Sequence, residues 1–464
     1  MVFSSIPFLF FLFAIVLFLY FTFKNPAWRN ALLLVASLLF YAWGEPVYIL
    51  LLVFSVFVNW LCAILITKYE TRAKLFVSLG VLINIALLVL FKYSAFLVEN
   101  FNLIFSLAIP VPHIRLPIGI SFFTFQALSY VIDVYRDKSI LQKSFPKLLL
   151  YVSFFPQLIA GPIVKYHDIA SQLEVREHSI DRFVSGMKLF LFGLAKKVIV
   201  SNTLAKAVDT AFADTPSKLS SPVLWIVALS YVLQIYYDFS GYSDMARGLG
   251  RIFGFDFLEN FNYPYSALGI KDFWRRWHIS LSTWFREYLY IPLGGNRRGK
   301  ARALTNQLIV FCATGLWHGA NITFLFWGVY HGLFLVLESS NIIPTKKISK
   351  NFVGKAFLNI YTWVVVLFGL VLFRSDTLSY AITYVKAMFV PTGALSGFSM
   401  FDPFFSFIFV FAILFSYPVT KMLEKRISPS IYKAVSYAFS VVLLVLCMMS
   451  LASDTYNPFI YFRF

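Results

Sequence analysis

Thirteen apolar runs recur along the chain, at residues 6–23, 31–43, 47–66, 75–91, 116–132, 148–160, 184–200, 223–237, 305–317, 322–337, 356–372, 403–415 and 435–451. A helix needs roughly 20 apolar residues to cross a bilayer, and inside lipid each backbone polar group has to find its partner within the protein. These runs therefore restrict the chain to an all-α polytopic membrane protein. Several are too short for a straight crossing and read as partial or re-entrant segments, a conformation tolerated only where it lines a cavity. The run at 148–160 also carries Pro156. The first run is followed by Lys24, Asn25 and Pro26 rather than by a small-residue cleavage site, so it reads as a retained span.

Residues of the AVILMFWYC set make up 59% of the 464, and charged residues only 13%, against about a quarter in soluble domains. The formal charge of +18 would indicate nucleic acid in a soluble chain. Here Lys and Arg cluster in short loops between apolar runs, which is the positive-inside pattern, and no nucleic-acid partner is implied. The loops at 68–74, 136–147, 346–355 and 421–426 are placed on the cytoplasmic side. Threading the spans between them puts 24–29 inside as well and both termini outside. A basic cytoplasmic face also attracts an anionic soluble substrate. Cys62, Cys312 and Cys447 all lie in apolar stretches and form no disulfide framework.

No internal repeat and no separate soluble domain is visible, so residues 1–464 read as one integral-membrane domain. Between Tyr237 and Thr305 hydrophobicity drops while aromatic content stays high. That stretch is too long for an ordinary loop and too aromatic for disorder, and is expected to fold as short helices in and below the membrane.

Of six histidines, His113, His167 and His178 sit in polar connections and are read as solvated. His318, in "ATGLWHGANITF", ends an apolar run, where an ionisable side chain is expensive and marks function by default. Gly315 and Gly319 there permit close backbone approach. A neutral imidazole in a sheltered channel can take a proton from a hydroxyl nucleophile, a benefit of about 10²–10⁴-fold. His278 lies in "DFWRRWHISLSTWF"; if that segment is helical, Ser282 falls one turn on, with Arg275, Arg276 and Arg286 as a cationic surround suited to phosphate. Anchoring at the lipid headgroups by those Trp and Arg residues is the plainer alternative. His331 follows Trp327 by one turn and is assigned a packing role. The three histidines match no compact metal-ligand spacing, and no metal is expected. No Walker, GxGxxG or GxSxG pattern is present. Asp238 and Asp244 read as structural partners of Arg247 or Arg251.

Five long motifs carry a resemblance: "LPIGISFFTFQALSYVIDVYR" (116–136), "FFPQLIAGPIVKY" (154–166), "YYDFSGYSDMARGLGRIFGF" (236–255), "DFWRRWHISLSTWFREYLYIPLGGNRRG" (272–299) and "GLWHGANITFLFWGVYHG" (315–332). In order and over most of the chain they resemble the membrane-bound O-acyltransferase (MBOAT) family. The likeness is to its bacterial branch that acylates cell-surface polymers, the alginate (AlgI), peptidoglycan (PatA) and teichoic acid (DltB) groups. The resemblance implies a cup-like helical bundle around a transmembrane tunnel, with core motifs over 116–338. It implies that His318 and His278 are the catalytic histidines, with Trp274, Arg275, Arg276, Trp277, Ser282, Trp317 and Asn321 about the substrate. It further implies acetyl-CoA as donor substrate with no bound cofactor, and an extracytoplasmic SGNH-type esterase-like partner that reaches the polysaccharide acceptor.

Residues 457–464, "NPFIYFRF", form a greasy segment where a frayed hydrophilic one is usual. They look like the aromatic motif of the small companion peptide in the D-alanylation system, whose tyrosine is thought to carry the acyl group. On that resemblance the tail docks from outside, and Tyr461 is the relay between thioester and polymer. The expected function is O-acetylation of cell-wall polysaccharide or peptidoglycan. The alternatives are alginate-type exopolysaccharide acetylation, D-alanyl transfer from a carrier protein to teichoic acid, and a non-covalent transporter.

Overall fold

The computed structural model describes residues 1–159, 161–390, 397–453 and 456–460, and no β-strand occurs among them. Among the described residues, six helices are long and apolar enough to cross a membrane: Tyr48–Lys68, Glu70–Phe105, Ser221–Ile252, Ile322–Ser339, Phe352–Arg374 and Pro429–Ser453. A seventh crossing is available if Pro403–Phe415 and Val419–Arg426, bent by 68° at their junction, are one span. This is a multi-pass membrane protein. The remaining apolar runs form shorter or broken helices, except 305–317, which lies in the unbroken 19-residue helix Lys300–His318. Residues 148–160 break at Phe154, between Phe145–Ser153 and Phe155–Leu158, with Pro156 in the first turn of the second piece.

One boundary differs from expectation. The run read as ending at Tyr237 continues as a single helix to Ile252. Its small and hydrogen-bonding residues, Ser240, Gly241 and Ser243 among them, mark a buried interior rather than a helix end; 83% of its most apolar window is buried.

Contacts divide the chain into two compact units, Met1–Phe190 with Tyr242–Leu258, and Leu191–Gly241 with Glu259–Phe464. In the first, the Ile120–Arg136 helix is buried on nearly all faces and packs against Tyr48–Lys68 and Ala73–Leu88. The latter two are tied by reciprocal amides: Asn59 Nδ2 donates to Asn84 Oδ1 at 3.3 Å, and Asn84 Nδ2 to Asn59 Oδ1 at 2.7 Å. Polar side chains bond helices this way where lipid offers no hydrophobic drive. Asp244 pairs with Arg247 at 3.3 Å, as expected from their spacing. His178 is not the solvated group anticipated: its Nε2 lies 3.4 Å from the Tyr20 hydroxyl, which donates to the Phe253 carbonyl at 2.7 Å.

In the second unit, Lys300–His318 and Ile322–Ser339 form a close helical hairpin. A side chain at Gly315 would collide with the Phe324 carbonyl, and one at Gly328 with the Phe311 carbonyl. Glycine is therefore what lets the two backbones meet. The short Ile270–Arg276 helix is held from its N-terminal end by Glu338, whose carboxylate accepts from the backbone N–H of Ile270 at 2.6 Å and of Lys271 at 2.9 Å.

Candidate active site

His318 is the last residue of its helix; the chain leaves it through Gly319 in extended conformation. The His318 side chain is buried, with ring centroids 5.0 Å from Trp317, 5.2 Å from Trp327 and 5.1 Å from Phe373. His278 joins two short helices, Ile270–Arg276 and Ile279–Phe285, with φ at +45°. Left-handed backbone in a non-glycine residue costs energy and is held only where the surroundings over-determine it. Here Asn260 helps: its Oδ1 accepts from the Ser280 N–H at 3.0 Å and the Ser280 hydroxyl at 2.9 Å, and lies 3.4 Å from His278 Nδ1. The His278 ring packs edge-on to Phe239 at 4.5 Å and stands 6.1 Å from Trp317, whose other neighbour is His318. One indole thus links the two imidazoles. Burial, with His318 nearby, pushes the His278 pKa down, so this imidazole is neutral at ordinary pH.

A cavity of about 30 Å³ opens beside them, lined by His318, His331, Trp274, Trp277, Trp327 and Phe373 with their apolar neighbours. A space of that size holds a water or a small ligand group. Around it, among the described residues, His278 Nε2, His331 Nδ1 and the indole N–H groups of Trp274 and Trp327 are buried without a hydrogen-bond partner. Donors and acceptors gathered this way suit the binding of a polar group in the cavity.

The expected site residues divide. His318, His278, Trp274, Trp277 and Trp317 come together here. Arg276 is instead paired with Asp272 at 3.1 Å, and Arg275 is exposed. The Ser282 hydroxyl donates to the Trp274 carbonyl at 3.3 Å. Asn321 caps the Ile322–Ser339 helix, its Oδ1 accepting from the Thr323 N–H at 3.0 Å while Nδ2 donates to the Asp376 carbonyl. His331, assigned to packing, lines the cavity itself, and Gly369 leaves room for its ring: an added Cβ there would sit 2.5 Å from Nε2. Among the described residues no three metal-ligating side chains gather.

Tyr461 lies outside the described residues. The segment before it is docked, with Phe459 and Ile460 buried and the Ile460 N–H donating to Asp238 Oδ2 at 2.8 Å. Asp238 is therefore not the arginine partner expected; its other oxygen pairs with Lys197 at 2.8 Å. The next residue along, Phe239, packs on His278 and lines the cavity.

A helical membrane protein with three buried imidazoles and an indole-walled cavity has the parts of a group-transfer enzyme. Residues 38–379 match the profile described as MBOAT, membrane-bound O-acyltransferase family, and the chain belongs to that family of acyltransferases. It is 42% identical over 399 residues to a Pseudomonas syringae pv. tomato protein named "Probable alginate O-acetylase AlgI", covering 84% of this chain and 75% of that one. The Pseudomonas putida protein of the same name is 37% identical over the whole of both chains. The "Peptidoglycan O-acetyltransferase" of Helicobacter pylori is 38% identical over 79% of this chain and 74% of its own.

Proposed function

We propose that this protein takes acetyl from cytosolic acetyl-CoA and passes it, through an ester on Tyr461, to the outer side of the membrane for O-acetylation of a cell-wall polysaccharide or peptidoglycan. An extracytoplasmic SGNH-type partner completes the transfer to polymer, and both termini face that side. The observation that carries this reading is the position of the 456–460 segment. Its last described residue is bound to Asp238, one residue before the aromatic wall that His278 and the cavity share. The cavity's small volume suits a short acyl group, and relatives named for O-acetylation of alginate and peptidoglycan favour acetyl.

In this mechanism the Tyr461 phenol oxygen attacks the thioester carbonyl and its proton passes to His318. The carbon–sulfur bond breaks, and CoA leaves as a thiol after taking that proton back. An aryl ester retains much of the thioester's transfer potential. A hydroxyl of the acceptor or partner then attacks it, its proton returning to the phenolate. The indole N–H groups of Trp274 and Trp327 are the donors that would hold the carbonyl oxygen as negative charge develops there.

Replacing Tyr461 by Phe is expected to abolish acetate incorporation into polymer at unchanged protein abundance, and to remove an acetyl adduct from the 456–464 peptide in protein incubated with acetyl-CoA. Full incorporation by Tyr461→Phe would refute the relay; full incorporation by His318→Ala would refute the role of that imidazole.

A further inference from the structure

Lys197 and Asp238 are buried, at 3% and 1% exposure, in a protein whose other described ion pairs are mostly at its surface. Isolating two charges from water is costly, and such pairs inside membrane proteins mark function more often than stability. Two local features bring them together. Lys197 sits in a π-helical turn, Lys196–Ser201, and turns of that kind re-aim side chains, often at functional sites. Three residues beyond Asp238, Gly241 lets the helices close up, since a Cβ there would lie 2.7 Å from the Gly193 carbonyl.

The pair does not simply neutralise itself. Lys197 Nζ lies 2.8 Å from Asp238 Oδ1 as an ion pair and donates to two further oxygens, Asn202 Oδ1 at 2.9 Å and the Pro458 carbonyl. Asp238 Oδ2 accepts from the Ile460 N–H. Asn202 Nδ2 reaches the Tyr456 carbonyl at 3.4 Å and Asn457 Oδ1 at 3.2 Å. Backbone contacts thus fall at 456, 458 and 460, every second residue, the periodicity of an extended chain read along one edge. A further anchor is the Tyr456 hydroxyl, which donates to Asp209 Oδ2 at 2.5 Å, with Arg374 beside that carboxylate at 3.2 Å.

We propose that Lys197, Asp238 and Asn202 form a clamp that recognises the main chain of residues 456–460 and thereby sets where residue 461 enters the active site. These are positioning residues. Their significance for catalysis rests on the relay reading above, while the clamp itself is a separate claim about docking.

The test measures docking and transfer separately in the full-length protein. Docking is read as the rate at which protease removes the residues after Ser453, transfer as acetate incorporation. Lys197→Met and Asp238→Asn are each expected to speed removal about tenfold or more and to cut transfer similarly, since each loses a charge-assisted contact. The double exchange Lys197→Asp with Asp238→Lys restores an ion pair and with it part of the thermal stability. It leaves the tail exposed, because an aspartate at 197 cannot donate to the Pro458 carbonyl and a lysine at 238 cannot accept from the Ile460 N–H. Asn202→Ala, which keeps the ion pair, is expected to loosen the tail severalfold even if the exchange fails to fold. Wild-type tail protection in Asp238→Asn or Asn202→Ala, or its full recovery in the exchange, would overturn the clamp. Should Tyr461→Phe stay active while clamp variants expose the tail, the relay falls and the clamp stands. Should Tyr461→Phe be inactive while those variants keep the tail protected, the clamp alone falls.

Discussion

Glu338 Oε1 lies 2.6 Å from the backbone nitrogen of Ile270, a contact between residues 68 apart in sequence. With Lys271 N–H on its other oxygen, the carboxylate fixes the start of the helix that presents Trp274 to the cavity and ends just before Trp277 and His278. Glu338→Gln keeps one acceptor and turns the other into a donor facing an N–H. A loss of about 1–3 kcal/mol in unfolding free energy is expected, accompanied by reduced acetyl transfer. A thermal melt and a transfer assay on the same preparation check it; an unchanged melt would remove Glu338 from this role.

The glycine contact between the two hairpin helices makes a second expectation. Gly315→Ala sets a methyl against the Phe324 carbonyl three residues before His318. The helices have to separate, at a cost of about 1–3 kcal/mol by the usual penalty for overpacking, and His318 moves with its helix. Transfer should fall more than stability does, because a displaced imidazole loses reach before the fold is lost. A variant with wild-type turnover would show that the approach is not needed for catalysis.

His178 supplies a pH dependence remote from the cavity. Burial, together with Arg29, Arg176 and Arg182, depresses its pKa from 6.5 to about 4. The unfolded chain therefore takes up a proton below about pH 6.5 that the folded protein refuses until about pH 4, so this group erodes stability as pH falls through that window. Melting temperature measured from pH 7 to pH 4 should drop less steeply in His178→Gln than in the wild type. Parallel curves would show that His178 does not govern acid sensitivity.

Much of the architecture was legible because a bilayer imposes length and polarity on every crossing. Residues 356–372 and 435–451 lie inside two of the helices long enough to span, and 47–66 begins one residue before a third, Tyr48–Lys68. What misled was polarity inside the protein: Ser240 and Ser243 lower the hydropathy of a helix that continues to Ile252, since a buried helix face can be hydrogen-bonding as readily as greasy. His318 was singled out by the cost of an ionisable group at the end of an apolar run. His331 carried the same signal, an ionisable ring inside the apolar run 322–337, and it lines the cavity beside His318. Lys197 carried it too, within 184–200, but a lysine near a run's end reads equally as the edge of a loop. Asn260 and Glu338 were not legible, because their partners lie 20 and 68 residues away and only the fold brings them within reach.

Residues 456–460 follow the Pro429–Ser453 helix in the same chain. Their encounter with Lys197 and Asp238 is thus a reaction of one molecule with itself. Covalent connection sets an effective local concentration on the order of millimolar, however dilute the protein becomes. Vacating the groove is a matter of local opening rather than of dissociation into the surroundings, and a free peptide of the same sequence would have to exceed that local concentration before it could compete.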